Sequence, residues 1–424
     1  MTGVELGNGA GPDLVWLAGV LWGTVEEVGV CLGSAPPGRI AVETYDVVPS
    51  AARARVLLPT DRPSAAAALR AGSGLRGSRQ RRRRSAVALA VGSGATRLVA
   101  HDRLTVHVAS GATAGRLLSD EIEEALGRPV ALAVNVRPPG PYRKPVVQAV
   151  AGGDGVIAYA KVAWNAPTER NVAAEARALR AASVLAAPRT PRVIGERAWG
   201  GRPVLLTEPM PERLRRPGPD EAAPGVDVVR RVAGLFGPPA PRDPAVVCSR
   251  LRERASALGP SREASALHEL LAAMAAAGAA PLLVGAWHGD WAPWNLARGG
   301  DELWAWDWEY ARDGAPMGLD AIHYAFQTAF VGQRRGLAAA FDHARSTSST
   351  SLTELGVAGE AAELTHAVHH AEIALRFLQA QADGAGPNLR YLAEATPVLR
   401  SQADRIRATA DAATSSRSTD RPAT

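Results

Sequence analysis

The chain has 424 residues, 46% apolar and 21% charged, the balance of a soluble globular protein, and it is too long for one ordinary core. Its net charge of +6 is a mild excess that excludes a histone-like binder. Cys31 and Cys248 are the only cysteines, which excludes a disulfide framework or a cysteine metal cluster and fits a reducing, cytoplasmic compartment.

Glu5 and Asp13 precede the apolar Val15–Trp22 and no basic residue does, so no signal peptide is expected. Residues 1–128 read as an α/β N-terminal extension of unknown role. Its strand patterns are Arg39–Val47, Ala54–Leu58, Ala86–Val91 and Leu104–Ala109, with a helix over Ala114–Leu126. The run Arg79–Arg84 has no interleaved aromatic residue to stack on a base, so a solvated loop is expected and nucleic acid is not the expected partner.

From residue 129 the pattern is more regular. Val130–Val136 and Val146–Val150 are apolar runs, and Gly152–Gly155 is a tight turn. Val156–Ala163 alternates and carries Lys161. A helix follows over Pro167–Ala186, with Glu169 and Glu175 on it. Pro191–Arg197 and Pro203–Glu208 complete a five-stranded, one-helix lobe over 129–210. Only two of the 48 basic residues are lysines, Lys144 and Lys161. In a chain where arginine is the default cation, a retained lysine either marks a place that needs a compact ammonium or is a chance survival on the surface.

Beyond Pro211 helices dominate. They are expected near Asp220–Leu235, Ala245–Leu258, Arg262–Ala280, Ala321–Ala344, Gly359–Ala382 and Ala393–Ala413, in a helical lobe over 211–410 with a disordered tail over 411–424. Leu270–Trp287 is 18 residues without a charge. Its alanines and Pro281 argue for a helix followed by a buried strand, and no membrane span is expected. His366, His369 and His370 share one helix face; a polar face is the expected reading, a metal site the alternative.

The chemistry concentrates in Gly285–Tyr310, which holds six of the ten tryptophans. His288-Gly289-Asp290 followed by Asn295 matches the H-x-D-x-x-x-x-N spacing of a phosphotransfer loop. Asp290 would accept the proton of an attacking hydroxyl, and Asn295 would offer magnesium a hard amide oxygen. Leu296–Ala297, a turn at Arg298–Asp301 and a strand over Glu302–Trp308 form a hairpin that returns Asp307 to the side of Asn295. Asp307 would then be the second metal ligand. A two-metal hydrolase would need further His and Asp clusters tied to Asp290, and none is evident.

His288-Gly-Asp-Trp-Ala-Pro-Trp-Asn295 with Trp306-Asp-Trp-Glu309 resembles the aminoglycoside phosphotransferase-like superfamily, which includes choline-kinase-like enzymes, over residues 129–400. The resemblance implies an α+β protein-kinase-like two-lobed fold and ATP- and Mg²⁺-dependent transfer to a hydroxyl of a small polar molecule, an aminoglycoside-like antibiotic or a metabolite. The alternative is a catalytically weak kinase-like binding or regulatory protein. The resemblance further implies that Lys161 contacts the nucleotide phosphates and that Glu175 holds it, with Glu169 the competing partner. It also implies that Glu208 and Met210 meet adenine through their backbone, and that Asp320 braces the catalytic loop or caps a helix. The acceptor side would draw on His323, Tyr324, Gln327, Glu372 and Arg376. The loop Arg137–Pro145 departs from the glycine-rich pattern of protein kinases, with Arg143 and Lys144 available instead.

Overall fold

The computed structural model describes residues 3–4, 6–71, 75, 77–112, 115–218, 221, 223–277 and 281–419. The chain divides into two compact units, Met1–Arg180 with Thr190–Arg216, and Ala181–Arg189 with Pro217–Thr424. One is strand-rich and the other mostly helical, as expected for a kinase-like α+β chain.

The first unit is built on a sheet of ten strands among the described residues: β1 (Gly3–Val4), β2 (Val28–Leu32), β3 (Arg39–Val48), β4 (Val56–Pro59), β5 (Asp102–Ala109), β6 (Ala131–Asn135), β7 (Val146–Ala151), β8 (Gly155–Val162), β9 (Val193–Trp199) and β10 (Arg202–Thr207). Their spatial order is β1-β2-β5-β3-β4-β6-β7-β8-β10-β9. Residues 1–128, whose fold the sequence leaves unassigned, supply five of these strands, and the β4–β6 pairing places them in one sheet and one compact unit with the strands that follow residue 129. Helices α1 (Pro12–Trp22), α2 (Arg62–Arg70), α3 (Ser78–Gly92), α4 (Leu118–Leu126) and α5 (Ala166–Ala182) belong with it.

Alternation along the strands gives each face its own core. Leu57 and Leu58, both fully buried, illustrate it: Leu57 joins the core with α1 and α4, and Leu58 the core with α2 and α3. Each buried leucine stabilises by about 2 kcal/mol. One expectation is corrected here. Ala86–Val91 is no strand but the second half of α3, and Arg79–Arg84 forms the first half of that helix instead of a loop. An apolar run of six does not distinguish helix from strand, and alanine, leucine and arginine all favour helix. Arg84 uses its guanidinium on the Leu69 carbonyl at 3.0 Å, at the end of α2.

The second unit holds α6 (Val226–Ala233), α7 (Pro244–Ser256), α8 (Arg262–Ala276), α9 (Leu319–Gln327), α10 (Leu337–Glu354), α11 (Gly359–Ala382) and α12 (Leu389–Thr419). Between them lie β11 (Ala240–Arg242), β12 (Leu282–Trp287), β13 (Leu296–Gly299), β14 (Glu302–Ala305) and β15 (Arg312–Pro316). β12 is central in the sheet β11-β12-β15, while β13 and β14 form a separate hairpin. The single helix expected over Ala321–Ala344 is two. A π-turn at Thr328–Gly332 and a left-handed Arg334 separate α9 from α10, where Gly332 and Gly336 weaken helix propagation. α12 runs through Thr419, so 411–419 are helical where a disordered tail is expected; 420–424 lie outside the described residues. No helix among the described residues is long and apolar enough to cross a membrane.

The histidine cluster of α11 is also corrected. His366, His369 and His370 are buried, not a polar face, and no group of three or more His, Cys, Asp or Glu suited to a metal occurs among the described residues. The His370 ring stacks on Phe341 of α10 with centroids 3.6 Å apart. Burial pushes His366 and His370 down to about 3, helped by the positive charges of Arg345 and Arg405. A histidine whose folded pKa lies below its unfolded value stabilises fully above pH 6.5 and loses that contribution as pH falls. Each such group steepens the loss by about 1.4 kcal/mol per pH unit between 6.5 and its folded pKa. The expected result is a melting temperature that falls steadily from pH 6.5 towards 4, and a shallower fall in His366→Gln, measured by thermal unfolding across that range.

Candidate active site

The loop after β12 is shaped by a glycine. Gly289 has φ of +84°, and a Cβ there would meet the Tyr310 carbonyl oxygen at 2.4 Å. The middle residue of His-Gly-Asp therefore has to be glycine for the loop to pass under Tyr310. His288 is fully buried, with the Trp308 and Trp291 rings 4.4 and 5.4 Å away. Its Nδ1 accepts the Asp290 backbone N–H at 3.2 Å, so its Nε2 carries the proton and donates to the Trp306 carbonyl at 3.1 Å. Burial lowers its pKa to about 4, despite the opposing pull of Asp290. It is a neutral strut between the loop and the hairpin.

Asp320, in the first turn of α9, braces the same loop. Its carboxylate accepts the His288 N–H at 2.9 Å and the Gly289 N–H at 3.4 Å. The helix N-cap is Gly318, so bracing, not capping, is the role the structure gives Asp320. Burial raises its pKa to about 7 against those two hydrogen bonds. This group takes up its proton on folding below pH 7 and offsets roughly one histidine of the acid loss described above. Asp320→Ala leaves two N–H groups without their acceptor. We expect a loss of about 3 kcal/mol, read from urea unfolding, and a much smaller loss in Asp320→Asn, which keeps an acceptor oxygen.

The hairpin forms as the sequence leads one to expect. Leu296 pairs with Ala305 and Gly299 with Glu302, so the Trp306 N–H donates to the Asn295 carbonyl at 3.2 Å. Asp307 is the next residue. It adopts the left-handed conformation (φ 63°, ψ 52°), which a non-glycine residue holds only at some energetic cost. The second strand ends at Ala305, short of the expected Trp308, because this turn follows. The Asn295 side-chain amide donates to the Asp290 carboxylate at 2.7 Å and to its carbonyl at 3.0 Å. Asp290 and Asn295 are thus in direct contact, and the hairpin returns the main chain before Asp307 to Asn295.

Asp290 is held by three donors. Asn295 meets Oδ2; His323 Nε2 and Arg376 Nη1 each lie 3.3 Å from Oδ1. Burial alone would raise its pKa. The His323 hydrogen bond and the Arg376 charge outweigh it and hold the carboxyl well below the usual carboxylate range. Arg376 also donates to the Gly289 carbonyl and lies over the Tyr310 ring, 4.3 Å from its centroid. Of the acceptor-side residues expected from the sequence, Arg376 is partly exposed. His323 and Glu372 are buried. Glu372 pairs with Arg254 at 2.7 Å and with Arg312.

In the strand-rich unit, Lys161 on β8 and Glu175 on α5 form an ion pair at 2.5 Å, their side chains 16% and 3% exposed. Glu169, the competing partner, is paired with Arg202 at 2.7 Å. Glu208 and Met210 lie just past β10, half-buried. The Glu208 N–H donates to the Arg192 carbonyl at 2.8 Å, and its carboxylate pairs with the Arg192 guanidinium. His323 and His369 form the feature that sequence reasoning missed as a pair. The two lie on different helices, and only the fold brings their rings to 3.1 Å.

No protein-family model and no curated protein matches the sequence. Solved structures similar to the chain include choline kinases and aminoglycoside phosphotransferases. One is a choline/ethanolamine kinase family protein from Mesorhizobium loti, 17% identical, TM-score 0.38, covering 63% of this chain and 84% of that one. Another is a choline kinase from Streptococcus pneumoniae, 14% identical, TM-score 0.40, covering 62% and 89%. A third, an aminoglycoside phosphotransferase from Streptomyces rimosus in complex with ADP and streptomycin, is 20% identical, TM-score 0.36, covering 55% and 90%. The likeness is one of fold; the chemistry rests on the site's own residues.

Proposed function

We propose that the protein is an ATP- and Mg²⁺-dependent phosphotransferase acting on a hydroxyl of a small polar molecule. The observation that carries this reading is the Asn295 amide on the Asp290 carboxylate at 2.7 Å, with the β13–β14 hairpin returning Trp306, the residue before Asp307, to the Asn295 carbonyl. Asp290 would receive the acceptor hydroxyl. Its depressed pKa keeps it ionised, so it orients the hydroxyl through a hydrogen bond and takes the proton late, as suits a loose transition state. The amide oxygen of Asn295 and the carboxylate of Asp307 are hard oxygen donors and fit Mg²⁺, which keeps few protein ligands and several from phosphate and water. When bound, the ion would neutralise phosphate charge. Lys161, oriented by Glu175, would contact the nucleotide phosphates, and the backbone at Glu208 and Met210 would meet adenine.

The charged side chains around Asp290 bear on the acceptor. Arg376 touches Asp290 itself, and Arg254 and Arg312 share the single carboxylate of Glu372. Arg376, partly exposed beside Asp290 Oδ1, favours an acceptor that presents a hydroxyl or an anionic group there, such as a sugar-like polyol, over a polycationic antibiotic. The test is ADP release by the purified protein from Mg·ATP with sugars, sugar acids, amino alcohols, macrolides and aminoglycosides. Turnover confined to aminoglycosides would overturn the acceptor class. ATP that neither binds nor turns over with any of them would overturn the reaction.

A further inference from the structure

We propose that His323, backed by His369, is the positioning residue that holds Asp290 in its working orientation, a role that rests on the phosphotransfer reading above. His323 Nε2 lies 3.3 Å from Asp290 Oδ1, and His323 Nδ1 lies 3.1 Å from His369 Nε2. Both rings are fully buried.

The tautomers follow from the partners. An ionised carboxylate only accepts, so His323 Nε2 carries the hydrogen and Nδ1 is a bare acceptor. His369 Nε2 must then donate to it. That leaves His369 Nδ1 as the unprotonated nitrogen, and it is buried with no hydrogen-bond partner. A bare lone pair tolerates that position better than an N–H would. Gln327 Nε2 lies 3.2 Å from His323 Nε2; two donors cannot face each other, so with a hydrogen on His323 Nε2 the Gln327 amide is assigned the flipped orientation, its oxygen towards the ring.

Both rings are neutral. Burial lowers His323 and His369, and the charged or titratable groups facing them are Asp290, Arg376, His366 and His370. Asp290 favours a charged His323, while the Arg376 charge opposes it. The rings are also clamped. Trp287 and Phe326 flank His323 at 6.0 and 6.5 Å, and Phe326 and Phe341 flank His369 at 5.3 and 5.8 Å. Neither imidazole turns without displacing an aromatic neighbour.

The arrangement serves orientation, not proton conduction. A relay needs an onward acceptor, and the chain of hydrogen bonds stops at His369 Nδ1. Of the two donors on Asp290 Oδ1, Arg376 is 22% exposed and His323 is not exposed at all. His323 is therefore the donor that stays when the acceptor reaches Asp290. Asp320 and His323 stand three residues apart on one face of α9, so a single helix braces the loop twice, through its backbone and through its carboxylate.

The test combines a structural and a kinetic readout on the full chain. With ¹⁵N-labelled histidine, His323 should show a protonated Nε2 and a bare Nδ1 from pH 6 to 8, and His369→Phe should remove that single tautomer. A His323 that carries its proton on Nδ1, or that titrates near pH 6.5, overturns the proposal whatever the reaction. Kinetically, His323→Phe should lower kcat roughly 10²-fold at unchanged KM for ATP, the scale expected for a misplaced catalytic group. His323→Gln, whose amide also donates, should recover most of it. Activity is read as ADP release from Mg·ATP, with the acceptor from the screen above or with water. If Asp290→Asn collapses turnover while His323→Phe stays within twofold of wild type, the positioning role fails alone. If Asp290→Asn has no effect, the phosphotransfer reading fails, and the nitrogen resonances still decide the hydrogen bond.

Discussion

Asp290→Asn should lower turnover by about 10²–10⁴-fold while ADP affinity stays within a few-fold of wild type. The substitution is nearly isosteric, and it reverses the hydrogen-bond chemistry at the centre of the site. Asp290 now accepts from Asn295, His323 and Arg376 at once. An amide offers one accepting oxygen and turns an N–H towards one of those donors. It also removes the carboxylate charge with which Arg376 pairs. The base is lost, and the loop keeps its backbone support from Asp320 and His288, since those bonds run to main-chain atoms. Single-turnover phosphate transfer alongside ADP titration separates the two effects. Unchanged turnover would sink the mechanism.

Lys161→Ala should have two consequences. ATP use should weaken by at least about tenfold in kcat/KM, the loss of a charge-assisted contact to phosphate. The strand-rich unit should also lose about 3–5 kcal/mol, because Glu175 is left buried and unpaired. Its side chain is 3% exposed and one of its oxygens already lacks a hydrogen-bond partner. Combining Lys161→Met with Glu175→Leu should restore most of the stability and none of the ATP use. The double-mutant cycle in urea measures the coupling of the pair, and ADP-release kinetics on the same proteins measure the nucleotide role. Normal ATP kinetics in Lys161→Ala would refute the assignment of that residue.

Much of the candidate site is legible in the sequence, because its parts are local. His288, Asp290 and Asn295 lie within one turn of chain, and a short hairpin is set by its own length and by Gly299-Gly300. Lys161 stands out through the scarcity of lysine, and Glu175 is one helix away. The misreadings came where local pattern is ambiguous. Ala86–Val91 is apolar enough for a strand and is helical, and the three histidines of α11 carry polar side chains and are buried. Neither the ring of hydrogen bonds on Asp290 nor the packing of α11 against Phe341 leaves a mark at short range.

The amino-acid sequence by itself determined the loop and hairpin of residues 285–310 and the change from strands to helices near residue 211, while the choice of Glu175 over Glu169 as the partner of Lys161 needed the structure. The loop, the hairpin and that change depend on neighbours close along the chain and on side-chain type. Tertiary structure alone decided that residues 1–128 extend one ten-stranded sheet, since the β4–β6 pairing joins segments about 75 residues apart. It also decided what stands behind Asp290. His323, His369 and Arg376 come from two helices, 33 to 86 positions away, and they converge because α9 and α11 pack their buried faces in one core. Backbone pairing and burial between distant segments are set by the whole chain at once, which no short stretch of residues encodes.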